Sequence, residues 1–176
     1  MTKWTVDTGH SSISFSVKHM MISKVRGTFD TFKAEVEAQD LTDLTGAKIA
    51  FHIDVASINT RNEERDKHLR TDEFFDIEQH PSSTFESTDI KKTGDSYFVT
   101  GNLTMRGITN EVTFDTVFNG KGTNPWGKEV YAFEAKTIVD REDFGITWNQ
   151  VLEMGGVLVG KEVEIMAELE VMQDTE

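Results

Sequence analysis

The sequence predicts an all-β fold, a single antiparallel β-barrel of about eight strands with one short helical segment near residues 61–77. Apolar and polar residues alternate with period two through most of the 176 residues, as half-buried antiparallel strands require. Turn signals such as Thr93-Gly94-Asp95 and Arg106-Gly107 separate these runs. The alternation stops for long only in residues 60–79. We expect one domain over residues 1–176, because this length is usual for a single core.

The first half of the chain contains the shorter strand patterns. Their apolar residues occupy alternate positions: Trp4 and Val6; Ile13, Phe15 and Val17; Ile49, Phe51, Ile53 and Val55. One run changes phase: Val25, Gly27 and Phe29 are odd-numbered, whereas Phe32, Ala34 and Val36 are even-numbered. This change of phase predicts a β-bulge near Asp30-Thr31. Bulged strands can coil a sheet until it closes, which favours a barrel over a sandwich.

The helical segment interrupts this rhythm. Thr60-x-x-Glu63 is typical of a capping box, with Thr60 as the N-cap of a short polar helix. The apolar residues of the segment, Leu69, Phe74, Phe75 and Ile77, collect at its end.

The second half contains the longer strand patterns, in Tyr97, Val99, Leu103 and Met105; Val112, Phe114 and Phe118; Tyr131, Phe133, Ala135 and Val139; and Val163, Ile165, Ala167, Leu169 and Val171. Glutamates alternate with the last set, which indicates a solvated outer face. A strand of about 11 residues spans roughly 35 Å, so a cavity along it could take a long, thin chain.

Composition excludes several classes of function. The absence of Cys excludes disulfides, iron–sulfur clusters and thiol nucleophiles. The formal charge of −13 argues against nucleic acid as a partner and disfavours a direct hold on anionic membranes. We find neither an N-terminal apolar stretch of signal-peptide length nor 18 consecutive apolar residues. The sequence therefore predicts a cytoplasmic protein without stable membrane insertion.

Several stretches, taken in order, resemble the YceI-like family of bacterial proteins over nearly the whole chain. They are Trp4-Thr5-Val6-Asp7, His10-Ser11-Ser12-Ile13-Ser14-Phe15, Val25-Arg26-Gly27-Thr28-Phe29, Asn62-Glu63-Glu64-Arg65-Asp66-Lys67-His68-Leu69, Phe74-Phe75-Asp76, Gly101-Asn102-Leu103-Thr104-Met105-Arg106-Gly107, Arg141-Glu142-Asp143-Phe144-Gly145-Ile146 and Leu158-Val159-Gly160-Lys161-Glu162-Val163. The resemblance implies a lipocalin-like barrel with a helical element at one side and a long apolar tunnel that holds an isoprenoid tail. Because the first stretch begins at residue 4, the chain looks like the cytoplasmic branch without a signal peptide.

Inward-facing apolar residues are the candidates for ligand contact: Phe15, Val17, Met20, Met21, Phe29, Phe74, Phe75, Phe114, Phe133, Phe144, Ile146 and Trp148. The residues alone favour an ordinary core, since any barrel needs apolar alternation. With the resemblance added, we expect some of them to line a cavity. Each buried CH₂ contributes about 0.8 kcal/mol, so a long tail would bind without specific polar contacts.

Three residues are candidates for contact with a lipid head group: His10, Arg65 and His68. A structural alternative stays open for each region. Arg65 and Asp66 would tie the helix to the barrel rim through ion pairs, and His10 would stabilise a turn through a bond to the backbone.

We expect no catalytic residue and no metal ligand. The five His residues show no recognised metal-binding spacing, and the sequence has no Gly-x-Ser-x-Gly motif. No cofactor is expected apart from a bound polyisoprenoid or quinone-type lipid.

The sequence and the resemblance together predict a protein that binds, stores or transports a polyisoprenoid or similar long-chain apolar lipid in the barrel. Two alternatives stay open: an enzyme that acts on an apolar substrate in the same cavity, and a filled-core, stress-related interaction module. An exposed edge strand would permit a homodimer.

Overall fold

The computed structural model describes residues 1–173, which contain eleven strands and one α-helix. The elements are β1 (Thr2–Val6), β2 (Ser12–His19), β3 (Ser23–Phe29), β4 (Phe32–Ala38), β5 (Lys48–Asp54), β6 (Ile58–Asn59), α1 (Glu63–Leu69), β7 (Ser82–Thr93), β8 (Ser96–Met105), β9 (Ile108–Thr123), β10 (Glu129–Asp140) and β11 (Val159–Gln173). Short 3₁₀ turns follow β5 at Val55–Ser57 and β10 at Arg141–Phe144.

All the strands belong to one antiparallel sheet that closes on itself. The long strand β11 pairs with β2 through Ile165 and Phe15, and with β1 through Val171 and Val6. The strands β1 and β2 therefore share one of the positions around the barrel, and each covers part of its length. In the next position, β4 pairs with β1 and β3 pairs with β2. In the position after that, β5 pairs with β4 and the short strand β6 pairs with β3. The result is the predicted closed barrel of eight strands.

The change of phase at Asp30-Thr31 is a strand break, and the predicted β-bulge is wrong there. Phe29 ends β3 opposite Ile58, whereas Phe32 begins β4 opposite Ile53. The 3₁₀ turn Val55–Ser57 is inserted on the partner strand between these two pairs, and Ser57 O accepts from Asp30 N at 3.2 Å. Register shifts occur instead within longer strands, for example between Ala132 and Phe133.

The predicted helical segment is one short helix followed by turns. Asn62, not Thr60, is the N-cap: its Oδ1 accepts from Arg65 N at 3.0 Å. Thr60 instead donates from its backbone N at 3.0 Å, and also from its hydroxyl, to the buried Asp66 carboxylate. The capping-box prediction therefore placed the N-cap of the helix two residues early. The Thr60 hydroxyl is bonded to the Asp66 carboxylate and does not cap the helix.

The two ends of the barrel differ. At one end, which we call the helix end, lie α1, the β2–β3 turn and residues 141–158. At the opposite end, residues 39–47 connect β4 to β5 and bury Leu41 and Leu44 at 1% and 3% exposure. These two leucines close that end from inside. The β9–β10 turn at the same end carries Trp126, which is 82% exposed.

Candidate ligand-binding cavity

The barrel interior is hollow rather than fully packed. Phe15, Phe114 and Ile165 point inward, yet each stays only partly buried. Residues on the inner face of a filled core are normally close-packed on every side. These residues keep exposed surface because they border internal space, which is divided into an inner and an outer chamber.

The inner chamber occupies the middle of the barrel and has a volume of about 120 Å³. Its wall includes seven phenylalanines, with aliphatic residues between them: Ile13, Phe15, Phe29, Val36, Leu41, Leu44, Ile49, Phe51, Ile53, Phe75, Phe85, Val99, Leu103, Met105, Phe114, Phe133, Ala135, Ile165, Ala167, Leu169 and Val171. Ala135 and Ala167 form a cross-strand pair, and their short side chains leave space on one side.

The polar side chains of the inner chamber all bond to the backbone. Ser83 donates to Thr104 O at 2.6 Å, while Ser14 and Thr116 donate to backbone carbonyls at 3.4 Å. Among the described residues, none that lines this chamber is titratable. The inner chamber thus offers a ligand dispersion contacts and an apolar surface, which suits a hydrocarbon.

The outer chamber lies at the helix end and has a volume of about 220 Å³. It shares five lining residues with the inner chamber: Phe15, Phe29, Phe75, Met105 and Ile165. Because these residues border both spaces, they form the constriction between the two chambers. Three of them pack in a row: the rings of Phe15 and Phe29 are tilted, with centroids 5.5 Å apart, and those of Phe29 and Phe75 meet edge to face, with centroids 5.9 Å apart.

An aromatic cluster forms the wall of the outer chamber beside α1. His68, Phe74 and Trp148 lie with ring centroids 4.8–5.3 Å apart. His68 Nε2 also contacts the Glu73 carboxylate. The cluster joins residues of α1, the turns after it and residues 145–158 into one side of the chamber.

The polar side chains that line the outer chamber are all basic: Lys18, His19, Arg65, His68 and Arg141. No carboxylate of the described residues is part of this lining, although the protein carries a formal charge of −13. Arg65 bonds to Thr60, with Nε 2.8 Å from Oγ1 and Nη2 2.7 Å from the carbonyl oxygen. These hydrogen bonds attach α1 to the barrel rim, which is the structural role considered for Arg65, although that alternative expected ion pairs.

Arg141 is a buried cation at 4% exposure. Its guanidinium donates to the carbonyls of Gly160 at 2.8 Å, Ile146 at 2.8 Å and Val159 at 3.4 Å. Burial lowers the pKa of Arg141, and the neighbouring Glu142 and Asp140 carboxylates partly oppose this shift. The side chain holds the two ends of residues 146–160 against the barrel.

The chain is similar to known proteins over almost its full length. Residues 4–171 match the YceI-like domain. The chain belongs to the YceI-like family. The UPF0312 protein SA2479 of Staphylococcus aureus (strain N315) is 43% identical to it over 171 residues, which cover 97% of each chain.

Solved structures of YceI-like shape superpose on this barrel. Burkholderia cenocepacia BcnA matches with a TM-score of 0.81 and 26% identity, covering 94% of this chain and 98% of BcnA. The Campylobacter jejuni YCEI protein matches with a TM-score of 0.73 and 27% identity, covering 90% of each chain. A polyisoprenoid binding domain from Saccharophagus degradans matches with a TM-score of 0.70 at 12% identity, covering 99% of this chain and 100% of that domain, a likeness that shows the fold alone.

Most of the candidate ligand contacts lie on the two chambers of this YceI-like barrel. The candidates at the constriction are Phe15, Phe29 and Phe75; those in the inner chamber are Phe114 and Phe133; those in the outer chamber are Val17, Phe74, Ile146, Trp148, Arg65 and His68.

Four candidates lie elsewhere. Met20 and Met21 occupy the exposed β2–β3 turn, at 42% and 65% exposure, and do not line either chamber. Phe144 is 1% exposed in the packed core beneath the 3₁₀ turn, without access to either space. His10 lies outside the barrel, between β1 and β2.

His10 belongs to a small polar cluster on the outer surface. Its Nδ1 lies 2.8 Å from Asp7 Oδ2 and 4.0 Å from Glu170 Oε2. The hydrogen bond to Asp7 raises the pKa of His10, and the same bond lowers the pKa of Asp7. These three residues offer ligand atoms within 4.8 Å of one another, the one such cluster among residues 1–173. The His10 ring thus stabilises this turn through the Asp7 carboxylate, whereas the structural alternative expected a bond from His10 to the backbone.

Sequence reasoning missed several lining residues. Leu41 and Leu44 close the inner chamber from a loop that carries no strand pattern. Lys18 and His19 end β2 and border the outer chamber, where the alternation of apolar residues gave no signal for them. Arg141 lay within a family-like stretch but was not considered as a lining residue.

Proposed function

We propose that this YceI-like barrel binds a polyisoprenoid or similar long-chain apolar lipid, for storage or transport. The observation that carries the proposal is the pair of connected chambers, the inner one apolar and free of titratable groups within the described chain. A tail in the inner chamber and a head group in the outer chamber would match each part of a lipid to the surface it meets. A filled-core module would have no use for this space.

The chamber volumes indicate how the tail would lie. A cavity of about 150 Å³ holds a benzene-sized group, whereas drug-sized ligands occupy roughly 300–1,000 Å³. The inner chamber, at about 120 Å³, therefore holds only part of a long tail. The rest must pass the constriction formed by Phe15, Phe29 and Phe75 and continue through the outer chamber.

A head group would meet the basic side of the outer chamber. Lys18 is exposed there and His19 is half-buried. Arg65 and Arg141 already donate to backbone carbonyls, and Arg65 also to a hydroxyl, so they contribute charge more than free donors. A cationic environment favours an anionic or strongly dipolar head group, such as a pyrophosphate or a quinone ring.

We propose a binding role rather than catalysis. General acid–base or nucleophilic chemistry needs a titratable or activated group beside the reacting atoms. In the inner chamber, where the tail would lie, no described lining residue is titratable, and the hydroxyls of Ser14, Ser83 and Thr116 donate to backbone carbonyls. The titratable residues lie on the outer chamber, beside the proposed head group. The polyisoprenoid itself is proposed from the shape and lining of the chambers, together with the activity named for the Saccharophagus degradans domain of the same fold. Cytoplasmic location and a homodimer stay predictions.

The test fills the inner chamber without adding charge. The double substitution Ala135→Leu/Ala167→Leu places larger side chains at the cross-strand pair that borders this space. Ala132→Leu, on the outer face of the same strand, is the matched control. We expect wild type and control to take up a long-chain prenyl alcohol from detergent-free buffer, and the filled variant to lose uptake while it keeps its melting temperature. Equal uptake by a folded filled variant would refute the proposed tail site.

A further inference from the structure

The helix end carries a cluster of exposed large apolar side chains, which we call the rim patch: Met20, Met21, Ile22, Val151 and Met154. Ile22 is 84% exposed and Met154 is 98% exposed. Single exposed apolar residues need no explanation, but a contiguous group marks an interaction surface.

The patch is contiguous because two loops touch. Met20 N, in the β2–β3 turn, donates to Leu158 O at 2.8 Å. A Cβ placed on Gly156 would overlap Met21 Sδ, so the tip of the 150–158 hairpin packs against the same turn. That hairpin is held by Val151 opposite Val157. Met154 therefore projects from one tip, and Met21 and Ile22 project from the other.

The backbone of the β2–β3 turn adopts a conformation that methionine disfavours. Met20 and Met21 have φ values of 52° and 63°, and Ile22 N donates to His19 O at 3.2 Å. This is the geometry of a tight hairpin turn in which Asn and Gly are strongly preferred. Two methionines in the left-handed region are strained, and both side chains stay exposed, at 42% and 65%, although Met21 contacts Gly156. A strained turn whose apolar side chains remain at the surface points to a function for those side chains.

The rim patch adjoins the mouth of the outer chamber. Lys18 and His19 line that chamber immediately before the turn, and Leu158 and Val159 line it immediately after the hairpin. A surface that covers the patch would therefore face the chamber directly.

The charge around the patch fits an anionic surface. Residues 8–29 contain no Asp or Glu, and they include Lys18, Lys24 and Arg26. Residues 144–160 contain a single acidic residue, Glu153. Surface charges beyond about 10 Å are largely screened at moderate salt, so at a contact the charges of these two loops act more strongly than distant carboxylates do.

We propose that the rim patch docks this protein on the surface of an anionic phospholipid bilayer. Its apolar tips would lie at the boundary between head groups and acyl chains, and Lys18 and Lys24 would face lipid phosphates. Methionine suits this contact because its flexible, polarizable side chain adapts to irregular apolar surroundings. The inference rests on the proposed function, since docking would let a lipid pass between bilayer and outer chamber without crossing water.

The test is flotation of the full chain with vesicles of phosphatidylcholine and phosphatidylglycerol. Ile22→Glu/Met154→Glu changes two highly exposed residues of the patch, and Trp126→Glu changes an equally exposed residue at the opposite end of the barrel. We expect wild type and Trp126→Glu to float with the vesicles, and the patch variant to bind them at least about tenfold more weakly. Thermal melting of all three proteins verifies that each is folded.

Three results would overturn the docking proposal. They are a wild type that does not float, equal binding by the patch variant, and equal weakening by Trp126→Glu. Light scattering separates another occupant: a wild-type dimer that the patch variant converts to monomer, without vesicle binding, would make the patch a contact between two copies. Uptake of a prenyl alcohol without vesicles keeps the two proposals apart. If wild type floats but takes up no prenyl lipid, the proposed function fails and the docking surface stands.

Discussion

The rings of Phe15 and Phe29 lie 5.5 Å apart, centroid to centroid, where the inner chamber meets the outer chamber. Phe15 is paired across β2 and β3 with Gly27, and a Cβ at Gly27 would lie 2.5 Å from Phe15 Cζ. Because Gly27 has no side chain, it leaves room for the Phe15 ring. The width of the constriction depends on a residue that does not itself line either chamber.

Gly27→Ala should destabilise the protein by about 1–3 kcal/mol, because the added methyl group overpacks against Phe15 and Thr60. Gly122→Ala is the matched control, since a Cβ there meets no atom within 4 Å. We expect the control to stay within about 0.5 kcal/mol of wild type in urea unfolding. Equal stability of the two variants would show that Phe15 moves aside freely.

Arg141→Met should destabilise the protein by about 3 kcal/mol. The substitution removes the charged donor of three backbone carbonyls at the ends of residues 146–160. The Ile146 carbonyl stays buried and the Gly160 carbonyl partly buried, whereas the Val159 carbonyl keeps its bond from Asn149 Nδ2 at 2.8 Å. Lys161→Met is the control, because Lys161 is exposed and its ion pair with Glu142 spans 3.6 Å. Urea unfolding measures both. A loss as small as that of the control would mean that Arg141 does not anchor this segment.

Lys18→Ala should change which lipids bind rather than whether they bind. Lys18 carries an exposed positive charge at the border of the outer chamber and does not line the inner one. We expect weaker binding of a prenyl pyrophosphate and unchanged binding of the corresponding prenyl alcohol, both measured by competition. Lys136→Ala, on an exposed outer position of β10, should alter neither. Equal loss for both lipids would assign Lys18 a structural role.

The pair of Asp7 and His10 should make a small, pH-dependent contribution to stability. The raised pKa of His10 means that its contribution is complete below the ordinary value of 6.5 and is lost as pH rises through the higher folded value. The lowered pKa of Asp7 means that its contribution is present above the ordinary value of 3.8 and is lost as pH falls through the lower folded value. The pair is therefore most effective between these limits.

NMR titration of the His10 ring tests this pairing. We expect a midpoint above 6.5 in wild type and a lower midpoint in Asp7→Asn, which removes the carboxylate charge and the largest cause of the shift. Unchanged midpoints in the two proteins would show that His10 is not paired with Asp7 in solution.

Period-two patterning was enough to predict the barrel and much of its lining. Phe15, Phe114 and Phe133 occupy inward positions of strands whose apolar alternation is regular, and all three border a chamber. The alternation records which face points inward. It does not record whether an inward side chain packs against other side chains or borders an empty space. Phe144, at 1% exposure, is packed in the core.

Features set by tertiary contacts were beyond the sequence pattern. The Asp66 carboxylate accepts hydrogen bonds from the backbone N and hydroxyl of Thr60, so Asn62 and not Thr60 is the N-cap of the helix. The 3₁₀ turn Val55–Ser57 separates β5 from β6, the strands opposite β4 and β3. The resulting change of phase at Asp30-Thr31 has the same sequence pattern as a β-bulge. The ring of basic residues around the outer chamber comes from elements far apart in sequence, which meet only when the barrel closes.

The central claim is that the two chambers hold one long apolar molecule. Native mass spectrometry of protein purified without detergent, followed by organic extraction and mass spectrometry of the extract, tests it most directly. We predict a stoichiometric complex that releases a long-chain lipid, and no such complex for Ala135→Leu/Ala167→Leu. A wild type that is empty and also refuses added prenyl lipids would contradict the account and leave the YceI-like likeness as a statement about fold.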